Sequence, residues 1–316
     1  MPDDPTIADI RAAAERIAPH VHRTPVATCA AIDAIAGAAL HFKCEHLQKV
    51  GAFKARGATN AVFLLDEQTA AARGVCTHSS GNHAAALARA AAIRGIPAHI
   101  VMPSTAPPVK RAAVAGYGAL ITECEPTLEA RESALAGVQE RTGAIFVHPY
   151  DDPRVIAGQG TAALELLEQV PGLEVVLAPV GGGGLASGTT IAVRSSSSLI
   201  EVWGAEPAGA DDAFRSLRDG RRYPSVDPAT IADGLRTALS ERTFRILSRG
   251  LAGIVTVDEP AIVRAMRLLW ERAKLLVEPS AAVPLAAVLS GPARFRGRRI
   301  GIILSGGNVD LDRLPW

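Results

Sequence analysis

From residue 74 onward, short apolar runs alternate with amphipathic stretches, and few folds accept that order. Runs at 74–77, 98–102, 119–123 and 144–148 read as strands, with helical periodicity between them at 82–94, 108–116 and 127–142. A second series places helices at 154–169, 185–194 and 260–276 and strands at 174–180, 200–205, 253–257 and 299–304, with a further helix from Ser280. Such alternation predicts an α/β protein of mostly parallel sheets flanked by helices. Before residue 74 the pattern loosens. A helix at 6–21 opens on a capping box of Thr6 and Asp9, and 40–44 reads as a short strand. The chain has 316 residues and is 48% hydrophobic, which favours two domains over one. The changes of pattern near 70 and 152 predict a smaller domain at 71–151. Residues 1–70 and 152–316 then form a larger, discontinuous domain.

Several functional classes fall away on composition. Net charge is +1 with acids and bases interspersed, so no electrostatic footprint for nucleic acid exists. The apolar runs are too short, or too often broken by Gly or Pro, to cross a bilayer. The first residues, MPDDPTIAD, are acidic where a signal peptide is basic. Cys29, Cys44, Cys76 and Cys124 lie far apart with no CxxC pair, which predicts reduced thiols and a cytoplasmic protein.

Five stretches carry chemistry. Five lysines stand among 33 basic residues, and one of them, Lys54, sits in KCEHLQKVGAFKARGATNAV. On a helix starting after Gly51, Lys54 shares a face with Ala58, Ala61, Val62 and Leu65, while Arg56 falls on a polar stripe with Thr59, Asn60 and Glu67. Burial would lower the lysine's pKa and favour a nucleophilic amine; the alternative is a lysine that snorkels to solvent. In VCTHSSGNH a strand runs through hydroxyls and glycine into a helix. That arrangement suits a carboxylate or phosphate, or is an ordinary capped loop. Gly181, Gly182, Gly183 and Gly184 follow an apolar strand and precede a helix. Four consecutive glycines point to a backbone wrapped around phosphate, although neither the P-loop lysine nor the dinucleotide fingerprint is present. LSGGNVD ends another strand, where ligands of parallel sheets sit or where a plain turn closes the chain. Last, AEPAGADDA gathers oxygen donors suited to a hard cation, or forms a solvated acidic loop.

A Schiff-base amine, a phosphate cup and a carboxylate seat together are what pyridoxal phosphate requires. The sequence resembles, nearly end to end, the serine/threonine dehydratase and serine racemase family of pyridoxal phosphate enzymes, with the tryptophan synthase β-type fold. The anchors, in order, are GAFKARGATNAV, SSGNHAAALA, VHPYDDPRVIAGQGT, PVGGGGLASG, AEPAGADDA, TIADG and LSGGNVDL. The resemblance implies Lys54 as the Schiff-base lysine and Asn82 on the ring hydroxyl. Gly181 to Gly184 with Leu185 would hold the phosphate, and Ser305 would face the pyridine nitrogen. Ser79, Ser80, Asn82 and His83 would bind the substrate carboxylate, and Ser80 matches the racemase acid/base opposite the lysine. Glu206, the Ala210 carbonyl and Asp212 match a divalent-cation site for Mg²⁺, Ca²⁺ or Mn²⁺.

The implied activity is an L-threonine/L-serine ammonia-lyase, releasing a 2-oxo acid and ammonia. A serine or aspartate racemase and a threo-3-hydroxyaspartate dehydratase are the alternatives that share Ser80. A non-catalytic amino-acid binder is opposed by the intact Lys54, glycine loop and Ser305, and a nicotinamide oxidoreductase by the missing fingerprint. The family habit is a homodimer with an amino-acid substrate. For activation by ATP, Ala85 stands where many relatives have a nucleotide-site glutamine, whereas Lys49, Lys110 and Tyr117 match other parts of that site. The chain ends soon after LSGGNVDL, so no domain for feedback by isoleucine is expected.

Overall fold

The computed structural model describes residues 4–79, 81–106 and 108–316. Two sheets organise them. The first has six strands in the order β1-β2-β10-β7-β8-β9, comprising Val26–Ala27 (β1), Ala39–Lys43 (β2), Val175–Pro179 (β7), Glu201–Pro207 (β8), Gly253–Val257 (β9) and Arg299–Ile303 (β10). The second runs β5-β4-β3-β6, from Val75–His78 (β3), Ala98–Pro103 (β4), Leu120–Cys124 (β5) and Ile145–Phe146 (β6). Every pairing is parallel except β1 with β2. This is the expected α/β architecture.

Strand periodicity builds the core. Along β7, Val175 and Leu177 pack with Leu40, Phe42, Ile300 and the Pro279–Ser290 helix, while Val176 and Ala178 pack with Ile10, Leu166, Leu185 and Ile303. The central strand is therefore buried on both faces and reads as an unbroken apolar run. In the second sheet, Val75 and Ile100 face the Asn82–Arg94 helix, while Cys76 and Val101 face Leu135 and Val138 of the Leu128–Thr142 helix.

Several elements depart from the sequence reading for local reasons. The first helix, Ile7–Ile17, keeps its Thr6 capping box but stops short of 21: Ala18 is still helical and donates to Ala14, but Pro19 has no amide to continue the ladder. The strand expected at 144–148 holds only two residues. Pro149 has no amide to donate, and the chain turns where His148 Nδ1 accepts from the amides of Tyr150 and Asp151. The helix expected at 260–276 runs as Glu259–Leu268, then a π turn at Leu269–Ala273 that ends on left-handed Lys274. Between β8 and β9, where the sequence assigned no element, lie the helices Asp212–Asp219 and Glu241–Gly250, the second opened by a Ser240–Thr243 capping box.

The expected polar stripe on the Lys54 helix is absent. Arg56, Thr59 and Asn60 are all buried, because Lys54–Phe63 is enclosed by the Asn82–Arg94 and Pro153–Gln169 helices, and Glu67 belongs to a separate helix. A Cβ on Gly158 would come within 2.6 Å of the Gly57 Cα, so two glycines let these helix backbones approach. Arg56 donates to Glu45 at 2.7 and 2.8 Å and to Glu165 at 2.7 and 2.9 Å, and Lys43 reaches Glu165 at 2.6 Å. Among the described residues, no helix is long and apolar enough to cross a membrane.

Candidate active site

Lys54 is the first residue of its helix, preceded by a tight turn at Lys49–Gly51. Its residue surface is partly exposed, but its amine is enclosed, and Nζ donates to the Pro149 carbonyl at 2.7 Å. Burial lowers its pKa to about 8, with no carboxylate nearby to hold the charge. A paired lysine would keep its proton; this one is ready to act as an amine.

Three other segments converge on the 50–54 stretch. Ser305, buried, accepts from the Phe53 amide through its carbonyl at 3.0 Å, and Gly306 bridges to Ala52. Asn308 Nδ2 donates to the Val50 carbonyl at 2.8 Å and to Asn82 Oδ1 at 2.9 Å. Asn82 opens its 13-residue helix and donates to Glu278 at 3.0 and 3.2 Å. Asn308 thus ties Asn82 to Val50, and Ser305 is tied to Phe53, the residue before Lys54.

The glycine loop, Gly181 to Gly184, enters the Gly184–Ser196 helix with Gly183 in the left-handed region at φ 84. The loop's outer side is set by protein: a Cβ on Gly182 would lie 2.3 Å from the Tyr150 ring, and one on Gly181 would lie 2.9 Å from the Leu235 Cα. The inner side offers donors. Gly181 to Leu185 are buried, yet among the described residues the amides from Gly181 to Ala186 find no acceptor. Buried, unsatisfied amides at a helix N-terminus are what a phosphate would satisfy, so these residues fit the phosphate of pyridoxal phosphate.

The second helix N-terminus is similar. Ser79 Oγ accepts from the Gly81 amide at 3.3 Å, and the Asn82 and His83 amides have no acceptor among the described residues. The His83 ring is buried, bonds Val147 O through Nε2 at 3.1 Å, and is pushed by burial to a pKa of about 3. With Nε2 donating, Nδ1 is an acceptor, so His83 can meet a carboxylate only through its backbone amide. Ser80 lies outside the described residues.

The oxygen cluster stands apart. Both Glu206 oxygens accept amides, from Ala213 at 3.0 Å and Phe214 at 2.8 Å, and burial pushes its pKa up to about 9. Asp212, raised by burial to about 6, has both carboxylate oxygens buried without a hydrogen-bond partner; the Ser225 hydroxyl lies close enough to oppose that rise. Ala210 is buried beside them, and no cluster of three His, Cys, Asp or Glu side chains occurs among the described residues. Of the residues matching a nucleotide site, Ala85 is buried, Tyr117 is exposed and Lys110 pairs with Asp233 at 2.6 Å.

Sequence reasoning assigned no role to Pro149, Tyr150, Asn308 or Glu278. The first two lie in VHPYDDPRVIAGQGT and Asn308 in LSGGNVDL, so motif position offered a signal. Glu278 offered none beyond preceding a helix.

Two mostly parallel sheets, an enclosed lysine with no carboxylate partner and two helix starts with unpartnered amides suit a cofactor-dependent α/β enzyme. The chain matches the family described as pyridoxal-phosphate dependent enzyme over residues 17–306, and it belongs to that family. It is 52% identical over 312 residues to a β-hydroxyaspartate dehydratase of Paracoccus denitrificans (strain Pd 1222), covering 99% of each chain. The crystal structure of serine racemase from Dictyostelium discoideum superposes with a TM-score of 0.93 at 48% identity, covering 97% of this chain and 99% of that one. The structure of maize serine racemase gives 0.96 at 47% identity, covering 98% of this chain and 95% of that one. A threonine deaminase of known crystal structure gives 0.92, also at 47% identity, with coverage of 97% and 99%.

Proposed function

We propose that the protein eliminates water from a β-hydroxy amino acid and releases a 2-oxo acid and ammonia. Bound pyridoxal phosphate supplies an electron sink for charge developing at the substrate's Cα. The enclosed Lys54 amine carries the reading. It has an accessible neutral form and is placed to take the Cα proton. Asn82 would hydrogen-bond the cofactor's ring hydroxyl, and Ser305 would face the ring nitrogen. A serine hydroxyl, unlike a carboxylate, would leave that nitrogen largely unprotonated, which would favour elimination over transamination. The Gly181–Leu185 amides hold the phosphate, and Ser79 with the amides of Asn82 and His83 seats the substrate carboxylate. Ser80 is assigned the acid/base role on the opposite face, and it is the feature that supports racemisation as a second reading.

The identity to a β-hydroxyaspartate dehydratase favours 3-hydroxyaspartate over L-serine and L-threonine as substrate. The test is parallel incubation of pure enzyme with all three, measuring 2-oxo acid and D-serine together. Oxaloacetate from hydroxyaspartate at the highest kcat/KM supports the proposal. D-serine in excess of pyruvate would replace it with the racemase.

We further propose a divalent cation at Glu206, the Ala210 carbonyl and Asp212. The unpartnered Asp212 oxygens support it, and a cation would restore the charge that burial removes from both acids. Added Mg²⁺ or Mn²⁺ should raise the melting temperature, by an amount corresponding to roughly 2.7 kcal/mol at a hundredfold excess over Kd. Asp212→Asn should abolish that rise; an equal rise in the variant would refute the site. The active unit is taken as a cytoplasmic homodimer, with the 71–151 segment as its smaller domain; the four strands of the second sheet all fall within that segment.

A further inference from the structure

Glu278 caps the start of the Pro279–Ser290 helix, yet its carboxylate makes no bond to that helix. The side chain turns instead toward Asn82 and Asn308. Both oxygens accept from Asn82 Nδ2, at 3.0 and 3.2 Å, and Oε2 also accepts from the Asn308 amide at 3.2 Å. The contact is tight: a Cβ on Gly306, next to Ser305, would lie 2.6 Å from Glu278 Oε1. A buried carboxylate is costly, and the helix start does not use it, since the first helical residue, Pro279, has no amide to cap.

Asn82 is held from two sides. Its Oδ1 accepts from Asn308 Nδ2 at 2.9 Å and its Nδ2 donates to Glu278, so the amide cannot flip without losing both bonds. One Nδ2 hydrogen bonds the carboxylate and the other remains for the ring hydroxyl assigned to Asn82. We propose that Glu278 is a positioning residue: it fixes the Asn82 amide and, by gaining or losing its own proton, sets the charge that the cofactor's ring oxygen experiences. This rests on the assignment of Asn82 to that oxygen.

The electrostatics act in a consistent direction. An ionised Glu278 disfavours a negative ring oxygen, and a protonated one does not. Burial raises the Glu278 pKa to about 7; Asp233 adds to the rise, while the Asn82 hydrogen bond, Lys110 and the Asn308 amide oppose it. Asp233 and Lys110 pair with each other at 2.6 Å, so the charge balance around Glu278 is set by two residues on different elements.

The test is the visible absorbance of the holoenzyme recorded from about pH 5.5 to 9. The wild type should show two bands whose ratio changes with one midpoint near neutrality. Glu278→Gln should lose that transition and stay at its low-pH limit. Asp233→Asn should move the midpoint down by roughly half a unit or more, and Lys110→Met should move it up. Should Glu278→Gln not fold, the opposite shifts in the other two variants decide the question. An unchanged transition in Glu278→Gln, or an unmoved midpoint in Asp233→Asn, overturns the proposal while leaving the cofactor's place intact. A purified wild type with no chromophore overturns that place and the proposal together.

Discussion

Lys54→Ala will reduce 2-oxo acid formation by about 10³-fold or more, since it removes the amine proposed to anchor the cofactor and take the proton. Lys54→Arg will not restore it, because a guanidinium neither forms a Schiff base nor loses its proton. The pH profile follows from the same burial. The amine must be neutral to act as a base, and enclosure lowers its pKa from 10.5 to about 8. Activity should therefore rise with pH through a midpoint near 8, instead of climbing toward 10.5 as a solvent-exposed lysine would require. The stability sign runs the same way in the apoprotein. The folded state resists protonating Lys54 while the unfolded chain accepts the proton, so stability lost at low pH returns as pH rises from about 8 toward 10.5. Borohydride reduction followed by peptide mapping identifies the anchored residue. A label elsewhere, or unimpaired turnover in Lys54→Ala, would remove the lysine from the mechanism.

The order of strands and helices was legible because both periodicities are strong where elements are buried on defined faces. The helices Asn82–Arg94 and Pro108–Gly116 begin and end where their patterns do. What was not legible is what depends on neighbours distant in the chain. Arg56 reads as a surface residue by helical position, and only the packing of the Pro153–Gln169 helix brings Glu165, 109 positions away, to its guanidinium. The four glycines read as a phosphate cradle, yet side chains on Gly181, Gly182 and Gly184 would meet Tyr150 and the Leu235 backbone; a phosphate would account for the free amides and not for the missing side chains. Glu278 reads as one residue before a helix, because sequence cannot show that Asn82 lies against it. The reading of Lys54 also needed tertiary context. Its face was apparent from spacing, but its enclosure beside the Pro149 carbonyl was not.

Two positions beyond Lys54 the expected effect is on folding. Arg56→Met should destabilise the protein by about 3–5 kcal/mol, because it leaves a buried carboxylate without its counter-charge. Glu45 bears most of the loss. Its side chain is fully buried, and Thr24 Oγ1, at 2.6 Å, would be its remaining side-chain donor. Glu165 suffers less, since Lys43 stays at 2.6 Å. The pH dependence has a definite sign. Burial alone would raise the Glu45 pKa, but the Arg56 charge and hydrogen bonds outweigh it and hold the carboxylate below its ordinary value. The stabilisation is thus present above the ordinary carboxylate range and is lost as pH falls through the lowered value. Urea denaturation of wild type, Arg56→Met and Lys54→Ala at neutral pH separates the two roles on one helix. Arg56→Met should shift the midpoint sharply downward, while Lys54→Ala should hold or slightly raise it, since it removes an enclosed amine that has no counter-charge. A small loss in Arg56→Met would mean that Lys43 and Thr24 compensate Glu45 without the guanidinium, and the network would then be a spacer between packed helices more than their support.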